Sequence, residues 1–321
     1  MIKSAWLLLG VAFCAVSIGG ETLYKIEPGS LDVRIIDELI VQDPVQDRDV
    51  TLRLLYPDGA GPFPLVVFST GAFCFPQMYD RISAHWVSHG YVVVVPNHID
   101  SPNNDAPPTP DQYPDFLPSR VRDVSFVLDA SETIARDAGI EGRIDAEHAA
   151  IAGHSFGAVI SAIKIGLYIR EEYRGAWGEH YDDRFKAAVM LSAPGPNMKE
   201  MAENAFEGIR KPLIATGGTN DVGRVDLGDL TPAQWRMQAY LLAPPGDKYS
   251  VITEGTDHYM GGLICNAARG GEPDHTAVAN VRAMTTAFLD AYVKQDSAAM
   301  NFLRAAEVSE LTDSQASYEY R

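Results

Sequence analysis

The sequence predicts an α/β protein with a mostly parallel central sheet and helices on both faces. Short apolar runs rich in β-branched residues, such as residues 64–69 and 91–95, are typical of parallel strands covered on both sides. Segments with helical periodicity, such as residues 81–88, lie between these runs, and this alternation indicates layered α/β architecture. The 321 residues are 46% hydrophobic and 21% charged, which fits a globular chain with a sizeable core.

Strand and helix signals alternate along the chain. The strand signals are short apolar or alternating stretches, at residues 33–41, 51–56, 64–69, 91–95, 149–152, 186–191, 212–215 and 249–253. The helix signals have apolar residues at helical spacing, at residues 81–88, 120–136, 158–169 and 280–293. Six prolines in residues 101–118 predict a long surface loop. We therefore expect one domain over residues 21–308 and a polar, mobile C-terminal tail over residues 309–321.

The first 20 residues have the layout of a secretory signal peptide. Lys3 supplies a positive start, residues 5–18 are almost wholly apolar, and small residues follow at 17–20. A spanning helix needs about 20 apolar residues, and the run at residues 5–18 is shorter than that. We therefore expect cleavage between residues 17 and 20. A retained N-terminal anchor is the alternative. Cleavage predicts a secreted or periplasmic protein with no integral membrane domain.

The charge balance excludes one class of partner. Lys and Arg number 26 against 43 Asp and Glu, which gives a formal net charge of −17. Nucleic acid is not expected to bind, because phosphate backbones repel a surface of their own sign.

The sequence G-H-S-F-G at residues 153–157 matches a nucleophile elbow. A predicted strand leads directly into it, and a helix rich in small and apolar residues leads out. Such a turn holds the Ser155 hydroxyl clear of the sheet, and Gly is needed on both sides because a Cβ would collide there. The turn also puts the Phe156 N–H at a helix N-terminus, where negative charge is favoured.

A serine nucleophile needs a base, and the base needs an orienting carboxylate, in the chain order Ser, Asp or Glu, His. His258 is the favoured base because it follows the strand signal at 249–253, and sites gather where parallel strands end. His275, which lies further into a polar loop, is the alternative base.

Asp221 is the favoured acid for the same reason, since it follows the strand signal at 212–215. Asp226 and Asp229 are the alternatives a few residues later. Asp257 adjoins His258 in sequence and is a poor orienter, because adjacent side chains point apart.

An acyl-transfer site also needs donors for the oxyanion. The Phe156 N–H would be one, and the second should come from residues 69–74, after the third strand. Gly71 lets the backbone approach closely, so the N–H of Ala72 is favoured, with that of Phe73 as the alternative. The rings of Phe73 and Phe75 are candidates for substrate binding.

With these motifs the chain resembles the α/β-hydrolases. More narrowly, it is similar to the dienelactone-hydrolase-like and platelet-activating-factor-acetylhydrolase-type esterases, relatives of chlorophyllases and polyester hydrolases. The motifs that carry the resemblance are P-L-V-V-F-S-T-G at 64–71, S-H-G-Y-V-V-V-V-P at 88–96, G-R-I-D at 142–145, the elbow at 153–157 and G-T-D-H at 255–258. The resemblance implies Ser155 as nucleophile, His258 as base, Asp221 as acid, and a single α/β-hydrolase domain that uses no cofactor. It also implies that Ala72 and Phe156 supply the oxyanion donors.

The chain departs from the family pattern in two places. Thr70 stands where the family usually has His, and Ala158 where it usually has a second Gly. The first difference affects the oxyanion loop and hence substrate choice. Arg120 and Asp123, which also belong to the resemblance, are expected to form a structural pair.

Two cysteines remain if Cys14 leaves with the signal peptide. Cys74 and Cys265 could be two separate buried thiols, or they could bond, since an exported protein meets oxidising conditions. A bond would tie the oxyanion loop to the loop of His258. No Cys/His cluster supports a metal site.

The leading interpretation is a secreted or periplasmic serine esterase that acts on a small-molecule or lipid-like ester. A serine peptidase or amidase on the same fold is the first alternative, and a non-catalytic binding protein is the second.

Overall fold

The strands and helices follow the alternation that the sequence predicts. The structure is a computed structural model that describes residues 22–106, 108–172, 180–196, 198–222, 226–265, 268 and 270–321. The signal-peptide prediction at residues 1–20 lies outside the described residues. The strands are β1 (Val33–Asp43), β2 (Arg48–Pro57), β3 (Phe63–Ser69), β4 (Val92–Pro96), β5 (Ile144–His154), β6 (Phe185–Leu191), β7 (Leu213–Asn220), β8 (Lys248–Asp257) and β9 (Ala316–Tyr320).

The helices flank these strands. They are α1 (Asp80–Ser88), α2 (Phe116–Asp129), α3 (Ser131–Asp137), α4 (Phe156–Lys164), α5 (Pro232–Arg236), α6 (Gln238–Leu242), α7 (His275–Tyr292), α8 (Ser297–Ala305) and α9 (Val308–Leu311). Short 3-10 helices lie at Pro76–Tyr79, Pro110–Asp115 and Ala205–Gly208. No helix of the described segments has both the length and the apolar character that crossing a membrane requires.

Nine strands within the described residues form one sheet in the order β1-β2-β4-β3-β5-β6-β7-β8-β9. The pairs from β4 through β3, β5, β6 and β7 to β8 are parallel. The two edges are antiparallel, with β1 on β2, β2 on β4 and β9 on β8. The sheet is therefore mostly parallel, as the sequence predicts. The carboxyl ends of its central strands all lie on the same side of the molecule.

The sheet separates two hydrophobic cores. In β3, Leu65 and Val67 face the core covered by α2, α3 and α4, whereas Val66 and Phe68 face the core covered by α1, α7 and α8. All four side chains are fully buried. Both faces of the central strands are thus covered, which explains why these strands read as continuous apolar runs.

The prediction of a mobile tail at residues 309–321 is wrong. Residues 316–320 form β9, which pairs with β8 in a register that sets Tyr320 opposite Tyr249 and Tyr318 opposite Val251. The Tyr318 and Tyr320 rings both stack on Tyr249, with centroids 6.2 and 6.1 Å away. Tyrosine suits a half-buried strand, so the alternation in this segment outweighs its polar composition.

Two other segments differ from the sequence prediction. The helix expected at 120–136 is divided at Ala130, and its first part begins earlier, at Phe116. The Pro-rich loop is partly ordered as a 3-10 helix, because Thr109 and Gln112 form a capping box and Pro110 occupies the first helical position.

Candidate active site

Ser155 occupies the sharp turn between β5 and α4. Its φ of 54° and ψ of −113° are strained for a residue with a side chain. A Cβ on Gly153 would strike the backbone of Gly157, and one on Gly157 would strike the carbonyl of Ser69. Only glycine therefore permits this turn to lie so close to α4 and β3, and the turn presents the Ser155 hydroxyl above the sheet edge.

The structure brings Ser155, His258 and Asp221 into one hydrogen-bonded series. His258 Nε2 lies 2.8 Å from Ser155 Oγ, and His258 Nδ1 lies 2.7 Å from Asp221 Oδ1. Asp221 and His258 are buried, while Ser155 is half-buried. An ionised Asp221 only accepts hydrogen bonds, so it holds the proton of the neutral imidazole on Nδ1 and leaves Nε2 free to accept from Ser155.

Arg236 is a fourth member of this cluster that the sequence analysis missed. Its guanidinium lies at the end of α5 and places Nη2 2.8 Å from Asp221 Oδ1. Burial opposes ionisation of Asp221, but the charge of Arg236 and the hydrogen bond from His258 outweigh it and lower the Asp221 pKa to about 2. Asp221 therefore remains ionised at any pH near neutrality.

The other candidates for base and acid lie elsewhere. His275 is exposed at the start of α7, and Asp226 and Asp229 are exposed in the segment before α5. The Asp257 carboxylate accepts from the backbone N–H groups of Tyr259, Gly261 and Gly271 at 2.8–3.0 Å and so shapes the loop that carries His258.

Arg120 holds the loop that follows β3. This fully buried side chain donates to the carbonyl oxygens of Thr70 at 2.5 Å and Gly71 at 3.0 Å, and pairs with Asp100 through two hydrogen bonds of 2.8 and 2.7 Å. The C=O and N–H of one trans peptide point in opposite directions. The Ala72 N–H, which shares a peptide with the Gly71 carbonyl, is therefore turned away from Arg120.

The Asp100 carboxylate of this ion pair distinguishes the two candidate oxyanion donors, the N–H groups of Ala72 and Phe73. Asp100 Oδ2 accepts from the Phe73 N–H at 2.9 Å, so that group is already engaged. The N–H of Ala72 has no acceptor in the described part of the chain. Arg120 also lies 5.0 Å from the ring centroid of Phe156, and one guanidinium thus contacts both segments of the expected oxyanion site.

The expected pair of Arg120 with Asp123 does not form. Asp123 accepts instead from His98 Nδ1 at 2.7 Å and pairs with Arg48. His98 Nε2 lies 2.9 Å from Ser69 Oγ, and burial lowers the His98 pKa, so its ring is neutral. Ser69, His98 and Asp123 are completely buried, and this second Ser-His-Asp arrangement is closed to any substrate.

A further hydrogen-bonded series links the oxyanion loop to the His258 loop through the elbow. The Gly71 N–H donates to Tyr79 Oη, which donates to His154 Nδ1, and His154 Nε2–H donates to the carbonyl of His258, each at 2.9 Å. A carbonyl only accepts, which fixes this tautomer of His154. Burial, together with the neighbouring His258, holds the His154 pKa well below its usual value, and the ring is neutral.

A cleft of about 400 Å³ opens beside Ser155 and His258. Its wall is mostly apolar, and the residues that line it are Ala72, Phe73, Ser155, Phe156, Val159, Pro194, Met198, Trp235, Arg236, His258, Tyr259 and Cys265. Phe73 is 49% exposed and lies edge-on to Tyr113 and Phe116 from the Pro-rich region. This region therefore contributes an aromatic rim to the cleft.

Phe75 does not line this cleft, so its predicted place at the binding site is wrong. It lies in extended conformation just before Pro76 and borders a separate surface groove with Met78, Leu263 and Cys265. The chain turns at Ala72 and Phe73, where the Cys74 N–H donates to the Gly71 carbonyl, and Phe75 then lies outside the cleft lining.

Cys74 and Cys265 are joined by a disulfide, with their Cα atoms 5.3 Å apart. Both are buried, and Cys265 forms part of the cleft wall. The bond ties the loop of Ala72 to the loop that follows His258. Among the described residues, no group of three or more His, Cys, Asp or Glu side chains is arranged to hold a metal ion.

Comparison with known protein families agrees with this architecture. The model of the chlorophyllase family matches residues 24–168, a span that includes β1 to β5, Ala72 and the elbow at Ser155 but ends before Asp221 and His258. No curated protein matches the chain significantly. The family match supports a hydrolase that acts on esters. The mostly parallel nine-stranded sheet of the described residues has the α/β-hydrolase fold, and over residues 24–168 the chain is similar to the chlorophyllases.

Proposed function

We propose that this protein is a serine esterase with Ser155, His258 and Asp221 as its catalytic triad. The observation that carries the proposal is the continuous hydrogen bonding from Asp221 through His258 to Ser155, with the hydroxyl at the wall of an apolar cleft. This arrangement activates a hydroxyl that is otherwise a weak nucleophile.

The proposed reaction has two stages. Ser155 Oγ attacks the ester carbonyl carbon while its proton passes to His258 Nε2, and the carbonyl oxygen becomes an oxyanion. His258 then gives this proton to the leaving alcohol oxygen as the C–O bond breaks, which leaves an acyl group on Ser155. A water molecule attacks the acyl-enzyme in the same way, and the acid is released.

The proposed oxyanion donors are the backbone N–H groups of Ala72 and Phe156. Phe156 is the first residue of α4, where a helix leaves its N–H groups without internal acceptors. The Ala72 N–H is without an acceptor in the described segments, and its peptide is held by Arg120. Both groups are therefore available and preorganised for developing negative charge.

The cleft favours an uncharged, apolar ester, either a small molecule or a lipid-like one. Apart from the triad, the described residues of its lining include a single charged one, Arg236, whose guanidinium is already occupied by Asp221. The remaining wall, with Val159, Met198 and Trp235, offers contact to apolar groups. A carboxylate or ammonium on the substrate would lose its hydration there without gaining a partner.

We also propose that the protein is exported to the periplasm or the medium. The N-terminal 20 residues have the composition of a signal peptide. The disulfide between Cys74 and Cys265 supports an oxidising compartment, since such bonds are rare in reducing cytosol.

The proposal is tested by hydrolysis of p-nitrophenyl esters from acetyl to palmitoyl, with wild-type protein and the Ser155→Ala variant. Wild-type turnover that disappears in Ser155→Ala supports the triad. The preferred acyl-chain length indicates the size of the acyl-binding site. Ser309→Ala, a change at an exposed serine, is the matched control and should keep wild-type turnover. Turnover that persists in Ser155→Ala would exclude Ser155 as the nucleophile. Cleavage of the matching anilides at a comparable rate would favour the amidase alternative.

A further inference from the structure

Arg236 is held in a site built around it. Its side chain is buried, and it donates from Nη1 to the carbonyls of Ser192 and Ala193 and from Nε to the carbonyl of Asp221, each at 3.3 Å. A Cβ on Gly217 would collide with the Arg236 stem. The position of the guanidinium is therefore fixed by the surrounding backbone, independently of any substrate.

The guanidinium faces the imidazole of the proposed base. Arg236 Nη2 lies 3.0 Å from His258 Nδ1, and both nitrogens lie within 2.8 Å of the same oxygen, Asp221 Oδ1. Arg236 has no lone pair, and Nδ1–H already donates to Asp221, so Arg236 and His258 do not bond to each other. They are two donors that share one carboxylate oxygen.

This geometry has an electrostatic consequence for protonation of the ring. A neutral His258 beside Arg236 and Asp221 leaves one positive and one negative charge, which balance. An imidazolium would place a second positive charge about 3 Å from the guanidinium, with one carboxylate to serve both. Like charges at this separation disfavour the charged form.

We propose that Arg236 is a positioning residue of the proposed triad: its guanidinium shares Asp221 Oδ1 with His258, and the acid limb of activity lies at lower pH with this charge present than with it removed. The inference rests on the proposed function for its kinetic meaning. Arg236 acts through Asp221 and His258 and touches no reacting atom.

The other groups that face His258 in the part of the chain that the structure describes carry no competing charge. The His154 ring has its centroid 4.8 Å from that of His258, and burial keeps it neutral. Tyr259, at 5.0 Å, is a phenol, and Ser155 is a hydroxyl. Within the described residues, the charges that contact the His258 ring are thus those of Asp221 and Arg236.

The test compares Arg236→Gln, which removes the charge, with Arg236→Lys, which keeps it. The pH dependence of kcat/KM reports the protonation of the free enzyme's base. We expect the acid limb of Arg236→Gln to move upward by about one pH unit, whereas that of Arg236→Lys stays close to wild type. If Arg236 only held the backbone in place, both variants would have a lower maximal kcat/KM and an acid limb at the same pH as wild type. This result would overturn the inference.

A second readout does not depend on turnover. The His258 imidazole is followed by NMR through a pH titration in the Ser155→Ala background, with its signal assigned by its loss in His258→Gln. The midpoint pH of this titration should rise when Arg236→Gln is added to Ser155→Ala, and it should stay unchanged when Arg236→Lys is added. An unmoved midpoint overturns the inference. A moved midpoint in a protein that hydrolyses no ester supports the electrostatic role of Arg236 while excluding the proposed function.

Discussion

Asn220 and Asp257 are paired in register across the parallel strands β7 and β8. Each is the last residue of its strand, so Asp221 and His258 leave two neighbouring strands side by side. This register brings the two residues together, with Asp221 Oδ1 2.7 Å from His258 Nδ1. The proposed acid and base are therefore carried at the ends of two paired strands.

Asp221→Asn tests the role of the carboxylate. The amide is neutral and no longer selects the tautomer with the proton on Nδ1, so we expect kcat to fall by roughly 10³–10⁴-fold. Arg236 would also lose the partner of its buried charge, which costs about 3–5 kcal/mol of unfolding free energy. Steady-state kinetics and urea unfolding measure the two effects, and the exposed Asp226→Asn is the control. A variant with kcat within tenfold of wild type would contradict the assignment.

The four proposed site residues that the sequence predicts all follow strand ends. Ser155, Asp221, His258 and Ala72 could be named because each lies within about six residues of the end of a strand signal, and the carboxyl ends of parallel strands lie on one side of the sheet. Arg236 could not be identified in this way, because it comes from a short helix 15 residues after Asp221 and no spacing rule places a helix end against a carboxylate. The Asp100 partner of Arg120 was missed for the same reason, since 20 residues and a Pro-rich segment separate the two.

The overall fold was predictable for a related reason. Central strands with two buried faces are continuous apolar runs, whereas β9 has polar residues on its exposed side and therefore looks like a tail. Its place in the sheet depends on the stacking of tyrosines against Tyr249, a contact that sequence pattern alone does not show.

Arg120→Lys tests the support of the oxyanion loop. Lysine keeps the charge but cannot hold the carbonyls of Thr70 and Gly71 and both oxygens of Asp100 at once. We expect kcat to fall by roughly 10²-fold with little change in KM, since misplacing one oxyanion donor affects the transition state most. Arg122→Lys, on the same helix, is the matched control, because Arg122 pairs with Asp43 and Asp129 away from the cleft. An unchanged kcat in Arg120→Lys would argue against a positioning role.

The disulfide between Cys74 and Cys265 spans 191 residues of chain. Because a cross-link over so long a loop restricts the unfolded state strongly, the Cys74→Ser, Cys265→Ser double variant should lose about 2–5 kcal/mol of unfolding free energy. Urea unfolding measures this loss, and alkylation of the unfolded, unreduced wild type followed by mass spectrometry shows whether the two thiols are free. Two alkylated cysteines in wild type would contradict the bond.

Asp182 provides a test of pH-dependent stability away from the cleft. Burial opposes its ionisation, but Arg184 and Ser125 outweigh burial and lower the Asp182 pKa to about 2. Because this pKa lies below the value of 3.8 for an unperturbed Asp, the ionised group stabilises the fold above about pH 4. That contribution is lost as the pH falls towards 2.

The matching variant is Asp182→Asn, measured by urea unfolding at two pH values. We expect it to lose about 1–2 kcal/mol at pH 7, after allowance for solvent screening, and to approach wild-type stability near pH 2. Asp183→Asn, at an exposed carboxylate paired with Lys211, is the control and should change stability little. An equal loss at both pH values would mean that the charge of Asp182 does not carry the effect.

Activation of Ser155 as a nucleophile by His258 and Asp221 can be measured by labelling with a fluorophosphonate and mapping the modified residue by mass spectrometry. The reagent requires an activated hydroxyl but no knowledge of the natural ester. We expect one label per chain, on the peptide that contains Ser155, with labelling slowed about 100-fold or more in His258→Gln and absent in Ser155→Ala. No labelling of the folded wild-type protein, or labelling at the same rate in His258→Gln, would contradict this activation.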